Sequence, residues 1–233
     1  MNFTRMHWVH RLVALACIAG PTVGIAAAAG AQSINGQAYG VYVNTPLGGQ
    51  AQSPLAVLPA VAAPNGDMAD AAADGVNVPN ALSSDFLNST TTGAIGTAGA
   101  SAQSMASVAD VNILGGLITA KEVIATSTSS RTERGATSNA NGSTFESLVV
   151  AGASVTSGDA AVAPNTRITL PNVGYVVLNE QVLTGDGVTS SGVTVNMIHV
   201  VLQQAVLGPL GQVIDYRQMG EVIVGSATSA VGS

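Results

Sequence analysis

A single lysine, Lys121, serves this 233-residue sequence, with one cysteine, one tryptophan and eight aromatic side chains in all. Basic residues number 7 against 13 acidic ones, a formal net charge of −6. Nucleic-acid binding needs clustered Lys and Arg against phosphates, so this balance speaks against a nucleic-acid partner. Only 9% of residues are charged. Long amphipathic helices draw on Glu, Lys and Arg as well as Leu, so few are expected. Scarce charge is not disorder here, because the mean hydropathy is +0.40 and disordered chains combine low hydrophobicity with high net charge. What fills the sequence is Gly, 27 residues of it, with Ala, Val, Ser and Thr. That mixture suits strands joined by tight turns.

Residues 1–31 read as a cleaved export signal. Arg5 and Arg11 precede an apolar run from Leu12 to Ala29, and Ala29-Gly30-Ala31 supplies a small-x-small cleavage site before Gln32. Gly20-Pro21 interrupts the run, which tells against a permanent membrane span. Cys17 follows Ala14-Leu15-Ala16, with a bulky Leu where a lipidation site wants a small residue. Cleavage removes Cys17, Trp8, His7 and His10. The remainder has no cysteine, one histidine (His199), and five basic residues against thirteen acidic, a net charge of −8. Disulfides and cysteine-based metal sites are then excluded, and stability must come from the core of roughly 200 residues.

The mature chain reads as all-β. Gln37–Asn44 alternates as a first strand. Thr45–Asn80 holds five of the nine prolines and is expected to be irregular, or an extended edge, with a short helical turn over Asp67–Asp74. Thr97–Leu114 alternates small residues, with Met105, Ser107, Ala109 and Val111 on one face. Gly115-Gly116 turns it into a second strand, Leu117–Thr128. Ser129–Ser143 is a polar connection and Thr144–Val150 a short strand. Thr166–Leu170 and Gly174–Leu183 flank the turn pair Pro171-Asn172. Gly192–Leu202 is the clearest strand, Gly208–Gly211 interrupts, and Glu221–Val231 is the last strand. The expected fold is an antiparallel β-sandwich or irregular barrel, with a β-solenoid as the alternative.

An ordered set of segments carries a family resemblance. VNILGGLITA at Val111–Ala120 is followed by STFESLVVAG at Ser143–Gly152 and NTRITLPNVGYVVLNEQ at Asn165–Gln181. GVTVNMIHVVL at Gly192–Leu202 and EVIVGSATS at Glu221–Ser229 close the series. The set resembles the bacterial choice-of-anchor P family. The resemblance implies an exported protein of the cell surface or medium, and it carries over no activity or catalytic residue. Family members bear varied C-terminal anchors. Here Gly232-Ser233 follows the last strand with no sorting motif or apolar span, so release or non-covalent retention is expected. The organisation is then a leader (1–31), an N-terminal strand with a proline-rich segment (32–96), and a β-rich family-like core (97–233).

Candidate sites are few. His199 sits mid-strand, sharing a face with Val195, Met197 and Val201, and without a second His or a Cys it lacks the usual zinc set. Glu180 can serve as a general acid or cation ligand, or pair with Arg167 across a hairpin. Asp67, Asp70 and Asp74 would align on one helical face as oxygen ligands for calcium, yet miss the calcium-loop pattern. Asp186, between two glycines, reads as turn chemistry. Neither a G-x-S-x-G elbow nor a phosphate-cradling GxxxxGK[ST] is present. The expectation is a non-catalytic exported module of envelope, matrix or adhesion type, without a cofactor and without a membrane span after cleavage, open to self-association through edge strands. A secreted hydrolase using a carboxylate pair that includes Glu180, and a calcium-dependent binding module, are the alternatives.

Overall fold

The computed structural model describes residues 32–45 and 49–233. The export signal expected over 1–31 lies outside these residues. Among the described residues strands make up 71%, with no helix, in two antiparallel sheets of which neither closes into a barrel. The expected sandwich is therefore present. The barrel alternative falls because the sheets are open, and the solenoid because every strand pairing is antiparallel.

In chain order the strands are β1 (Ser33–Thr45), β2 (Gly49–Val57), β3 (Gly66–Ala73), β4 (Val76–Val78), β5 (Leu82–Ser84) and β6 (Leu87–Gly96). The long pair β7 (Gly99–Ile113) and β8 (Ile118–Thr132) follows. Short elements β9 (Gly135–Asn139), β10 (Thr144–Glu146), β11 (Val149–Val150) and β12 (Ala153–Ser154) come next. The chain ends with β13 (Thr166–Leu170), β14 (Gly174–Gly185), β15 (Ser191–Leu207) and β16 (Val213–Gly232). One sheet has the order β13-β14-β15-β16-β1-β2. The other is built on β7 and β8, with β5 and β6 pairing β7, β3 pairing β6, and β9, β10 and β11 along β8. Residues 32–96 thus supply strands to both sheets.

Of the two readings of Thr45–Asn80, the extended edge holds: the segment forms β2, β3 and β4, and Pro54 is accommodated because β2 is an edge strand. Three other expectations need correction. Asp67–Asp74 forms no helical turn; Gly66–Ala73 pairs with β6, and its run of alanines serves as a strand. Ser129–Ser143 is largely the end of β8 and its hairpin partner β9. In β7, Met105 faces solvent while Val111 is buried, because Asp110 adopts φ +47° and the alternation changes phase there.

A similar phase change crosses the six-stranded sheet. The ladders skip Pro54, Gly40, Gly225, Met197 and Asn179, one residue in each of five neighbouring strands. On either side of this line the same sheet face stays turned to the core, so Met197 and Ile198 are consecutive and both fully buried. The irregular residues stand in register, so all five strands change phase together. Gly225 (φ +66°) takes a left-handed conformation there, and a Cβ at this position would lie 3.0 Å from Val123 Cγ1 of the opposing sheet.

The core between the sheets changes character along its length. Around Phe145, Leu87, Leu178, Ile198 and Val123 it is apolar. Towards the other end hydroxyls cross between the sheets. Ser104 Oγ donates to the Thr228 carbonyl at 2.7 Å, and Ser129 Oγ lies 2.8 Å from Ser229 Oγ and 2.7 Å from Ser138 Oγ. Small polar residues let the sheets approach closely while their hydroxyls satisfy one another.

Candidate functional site

The titratable groups that come together lie on the outer face of the six-stranded sheet, where the irregular line crosses β14, β15 and β16. Opposite residues in a ladder share a face. Glu180, Asn196, Ser226 and Tyr39 form one such row across four strands. Val177, His199 and Ile223 form a row on the other side of the line. The phase change at Met197 places Asn196 and His199, three residues apart, on the same face. Glu180 reaches both.

His199 bridges two carboxylates. Its Nδ1 lies 2.9 Å from Glu180 Oε2 and its Nε2 lies 3.2 Å from Glu221 Oε2. Carboxylates only accept, so both ring nitrogens donate and the imidazolium is the form this geometry holds. Hydrogen bonding to Glu180 raises the His199 pKa above its ordinary value against the opposing effect of burial, with Glu221 adding to the rise. The hydrogen bond from His199, assisted by Asn196, lowers that of Glu180. A polar relay extends the cluster. Asn196 Nδ2 donates to Glu180 Oε2 at 2.7 Å, Ser226 Oγ donates to Asn196 Oδ1 at 2.8 Å, and Tyr39 hydrogen-bonds Ser226. Burial pushes the Tyr39 phenol up.

This arrangement orients charge and engages one oxygen, Oε2, of each carboxylate. The two glutamates take hold of opposite ends of one ring, whereas a hydrolytic acid pair must flank a space that admits a glycosidic bond. The side chains are only partly covered, at 17% exposure for His199 and 24% and 26% for Glu180 and Glu221. Two grooves, of about 760 and 600 Å³, lie elsewhere, at the β13–β14 turn and beside Ser138–Ser143.

The sequence placed His199 and Glu180 among the candidates without joining them. His199 does share its face with Val201, but Val195 and Met197 point into the core, because the phase change intervenes. Glu180 pairs with His199 and not with Arg167, whose guanidinium stacks 3.7 Å from the centroid of Tyr175. Glu221, Asn196, Ser226 and Tyr39 were missed. Asp67, Asp70 and Asp74 run along and just beyond the exposed strand β3, where strand alternation turns Asp67 and Asp70 to opposite faces in place of the common helical face expected. Among the described residues no group of three or more His, Cys, Asp or Glu side chains is disposed to hold a metal. Asp186 is turn chemistry, as read. Its carboxylate accepts from the backbone N–H groups of Val188, Thr189 and Ser190 and from the Thr189 hydroxyl, which holds its pKa far below the usual carboxylate range.

The cluster has a definite pH signature. His199, with a raised folded-state pKa, contributes stability that is complete below its ordinary 6.5 and is lost as pH rises through the folded value. Glu180, with a lowered one, contributes stability that is complete above its ordinary 4.5 and is lost as pH falls through the folded value. The joint contribution is therefore greatest between the two ordinary values. Urea denaturation of the wild type should lose about 1 kcal/mol between about pH 6 and about pH 9, a size set by solvent-screened charge pairs. His199→Gln should flatten that slope, and identical slopes for the two proteins would refute the assignment.

Comparison with protein-family models, with curated proteins and with solved structures returned no match.

Proposed function

We propose that this chain is an exported, non-catalytic β-sandwich module that builds or coats cell-envelope or extracellular-matrix structures by contact between surfaces. The observation that carries this reading is where the protein spends its chemistry. Its histidine and two partner carboxylates are committed to one another on an open sheet face, while apolar side chains crowd onto a projecting hairpin that includes Leu207, Leu210, Ile214 and Tyr216. Large exposed apolar patches mark contact surfaces. The leader-like segment over 1–31 and the resemblance to choice-of-anchor P proteins support export. The low charge and the inter-sheet hydroxyl seam suit a protein that endures outside the cell without disulfides.

Fractionation of the native host with intact-mass measurement tests the proposal. A mature chain beginning at Gln32, recovered from the medium or the envelope, is the expected result. A full-length chain confined to the cytosol would overturn it.

A further inference from the structure

Past Leu202 and Gly220 the β15–β16 hairpin runs out of the sheet. β14 pairs β15 only as far as Leu202, and β1 pairs β16 only as far as Glu221. The remaining segments, Gln203–Leu207 and Val213–Gln218, pair with each other, and their outer edges have no strand partner among the described residues. A two-stranded ribbon is marginal in water by itself. This one is also apolar at its far end, with Leu207 and Ile214 each 61% exposed, Tyr216 58% and Leu210 92%. Ala205, Val213 and Tyr216 face a groove whose other wall is Leu170 and Val173 of the β13–β14 turn.

The backbone shows which groups look outward. The Gln203 N–H donates to the Val173 carbonyl, on the side away from β16. Strand alternation then turns the backbone groups of Ala205 away from β16, and those of Tyr216, which faces Ala205 across the ladder, away from β15. Consistent with this, the Tyr216 N–H is met by the neighbouring Asp215 Oδ1 at 2.8 Å. The outer edge of β16 thus turns an acceptor and a donor outward at Tyr216, the donor held by the chain's own Asp215 until a partner strand replaces it, with Asp215 and Arg217, one charge of each sign, on either side.

Building on the assembly role proposed above, we infer that the arm is a dimerisation element and that its partner is a second copy of this chain. The β16 edges of two copies pair antiparallel about a two-fold axis at Tyr216. In that register each Asp215 stands opposite the other copy's Arg217, twice over, and the two Tyr216 residues exchange backbone hydrogen bonds. Two ribbons become a four-stranded sheet with the tyrosines side by side on the face that bears Ala205. An isologous contact requires a self-complementary surface, and a residue pair of opposite sign placed symmetrically about one position supplies it. Directly opposed charges of unlike sign favour antiparallel pairing and like charges oppose it.

Sedimentation velocity of the full chain over a range of concentrations tests the pairing. The wild type should pass from monomer to dimer as concentration rises. Asp215→Arg and Arg217→Asp should each weaken the dimer by about tenfold, because each sets like charges opposite one another twice. The double exchange Asp215→Arg with Arg217→Asp should restore wild-type affinity, which a misfolded arm cannot do. Tyr216→Pro should leave the chain monomeric, since it removes the outward N–H without touching the bonds to β15. A wild type that stays monomeric, or a double exchange without recovery, would overturn the inference. So would binding to phosphatidylcholine–phosphatidylglycerol vesicles that is lost in Leu210→Asp while the soluble chain stays monomeric, for that makes a lipid surface the partner. A monomer recovered outside the cell would sink the pairing and leave the export reading standing; a dimer found only in the cytosol would do the reverse.

Discussion

Gly225→Val should cost about 2–5 kcal/mol, about a third of a typical domain's stability. Two effects add. Gly225 holds φ +66°, and a side chain in the left-handed region costs about 1–2 kcal/mol, with a β-branched residue at the high end. A Cβ would also stand 3.0 Å from Val123 Cγ1 of the opposing sheet, so that side chain must give way by a few tenths of an ångström, and the two methyls of valine add to the crowding. Overpacking of this kind costs about 1–3 kcal/mol. Gly115→Val isolates the first effect. Gly115 has φ +65° with nothing within 4 Å of its would-be Cβ, so only the conformational cost of about 1–2 kcal/mol should appear. Urea denaturation followed by circular dichroism reads both. Equal losses in the two variants would mean that the sheets do not meet at Gly225.

Phe145→Ala should destabilise by about 3–5 kcal/mol. Of the aromatic rings among the described residues, Phe145 alone is fully buried. It sits on the three-residue strand β10, opposite Val123, and its backbone exchanges two hydrogen bonds with Ala160, each 2.9 Å. Removing the ring leaves a void bounded by strands that are held in place on other sides, so collapse is limited. Short β10 has few other contacts of this size, and the loop carrying Ala160 is moored to it. Phe86→Ala is the matched control, since Phe86 is half exposed and should change stability by no more than about 0.5 kcal/mol. A loss below about 1 kcal/mol for Phe145→Ala would show that the site collapses onto the missing ring.

The sequence carried the class of fold because alternation and turn chemistry are local. Gly115-Gly116 and Pro171-Asn172 join the strands they were expected to join. It failed where an irregularity reset the alternation. Period-two reading carried past Met197 set Val195 and Met197 on one face with His199, and carried past Asp110 it set Met105 and Val111 on one face. In each strand a single residue skipped by the ladders reversed the assignment. The Asp67–Asp74 alanines were misread as a helical turn for a different cause, because edge strands tolerate residues that central strands reject, and position in a sheet is not written locally.

The candidate cluster was half legible. Had Gly208–Gly211 been read as a hairpin tip, counting back from the closing pair Leu207–Val213 would have set His199 opposite Glu221. Two register shifts in the arm move that partner to Ile223, leaving Glu221 diagonal to the ring and still within reach of Nε2. Tyr39 could be found by no local rule, since it reaches the cluster through the pairing of the first strand with the last.

That same pairing sets a schedule. β1 lies between β16 and β2, so the earliest described strand can enter its sheet only when the latest one exists. Until Glu221–Gly232 is available, β1 and β2 are a lone hairpin, which water does not sustain. Closure between strands so far apart in sequence is entropically costly and slow. The six-stranded sheet is therefore obliged to remain open until β16 has been made, whereas β6, β7, β8 and β9, paired as consecutive hairpins, can begin to close earlier.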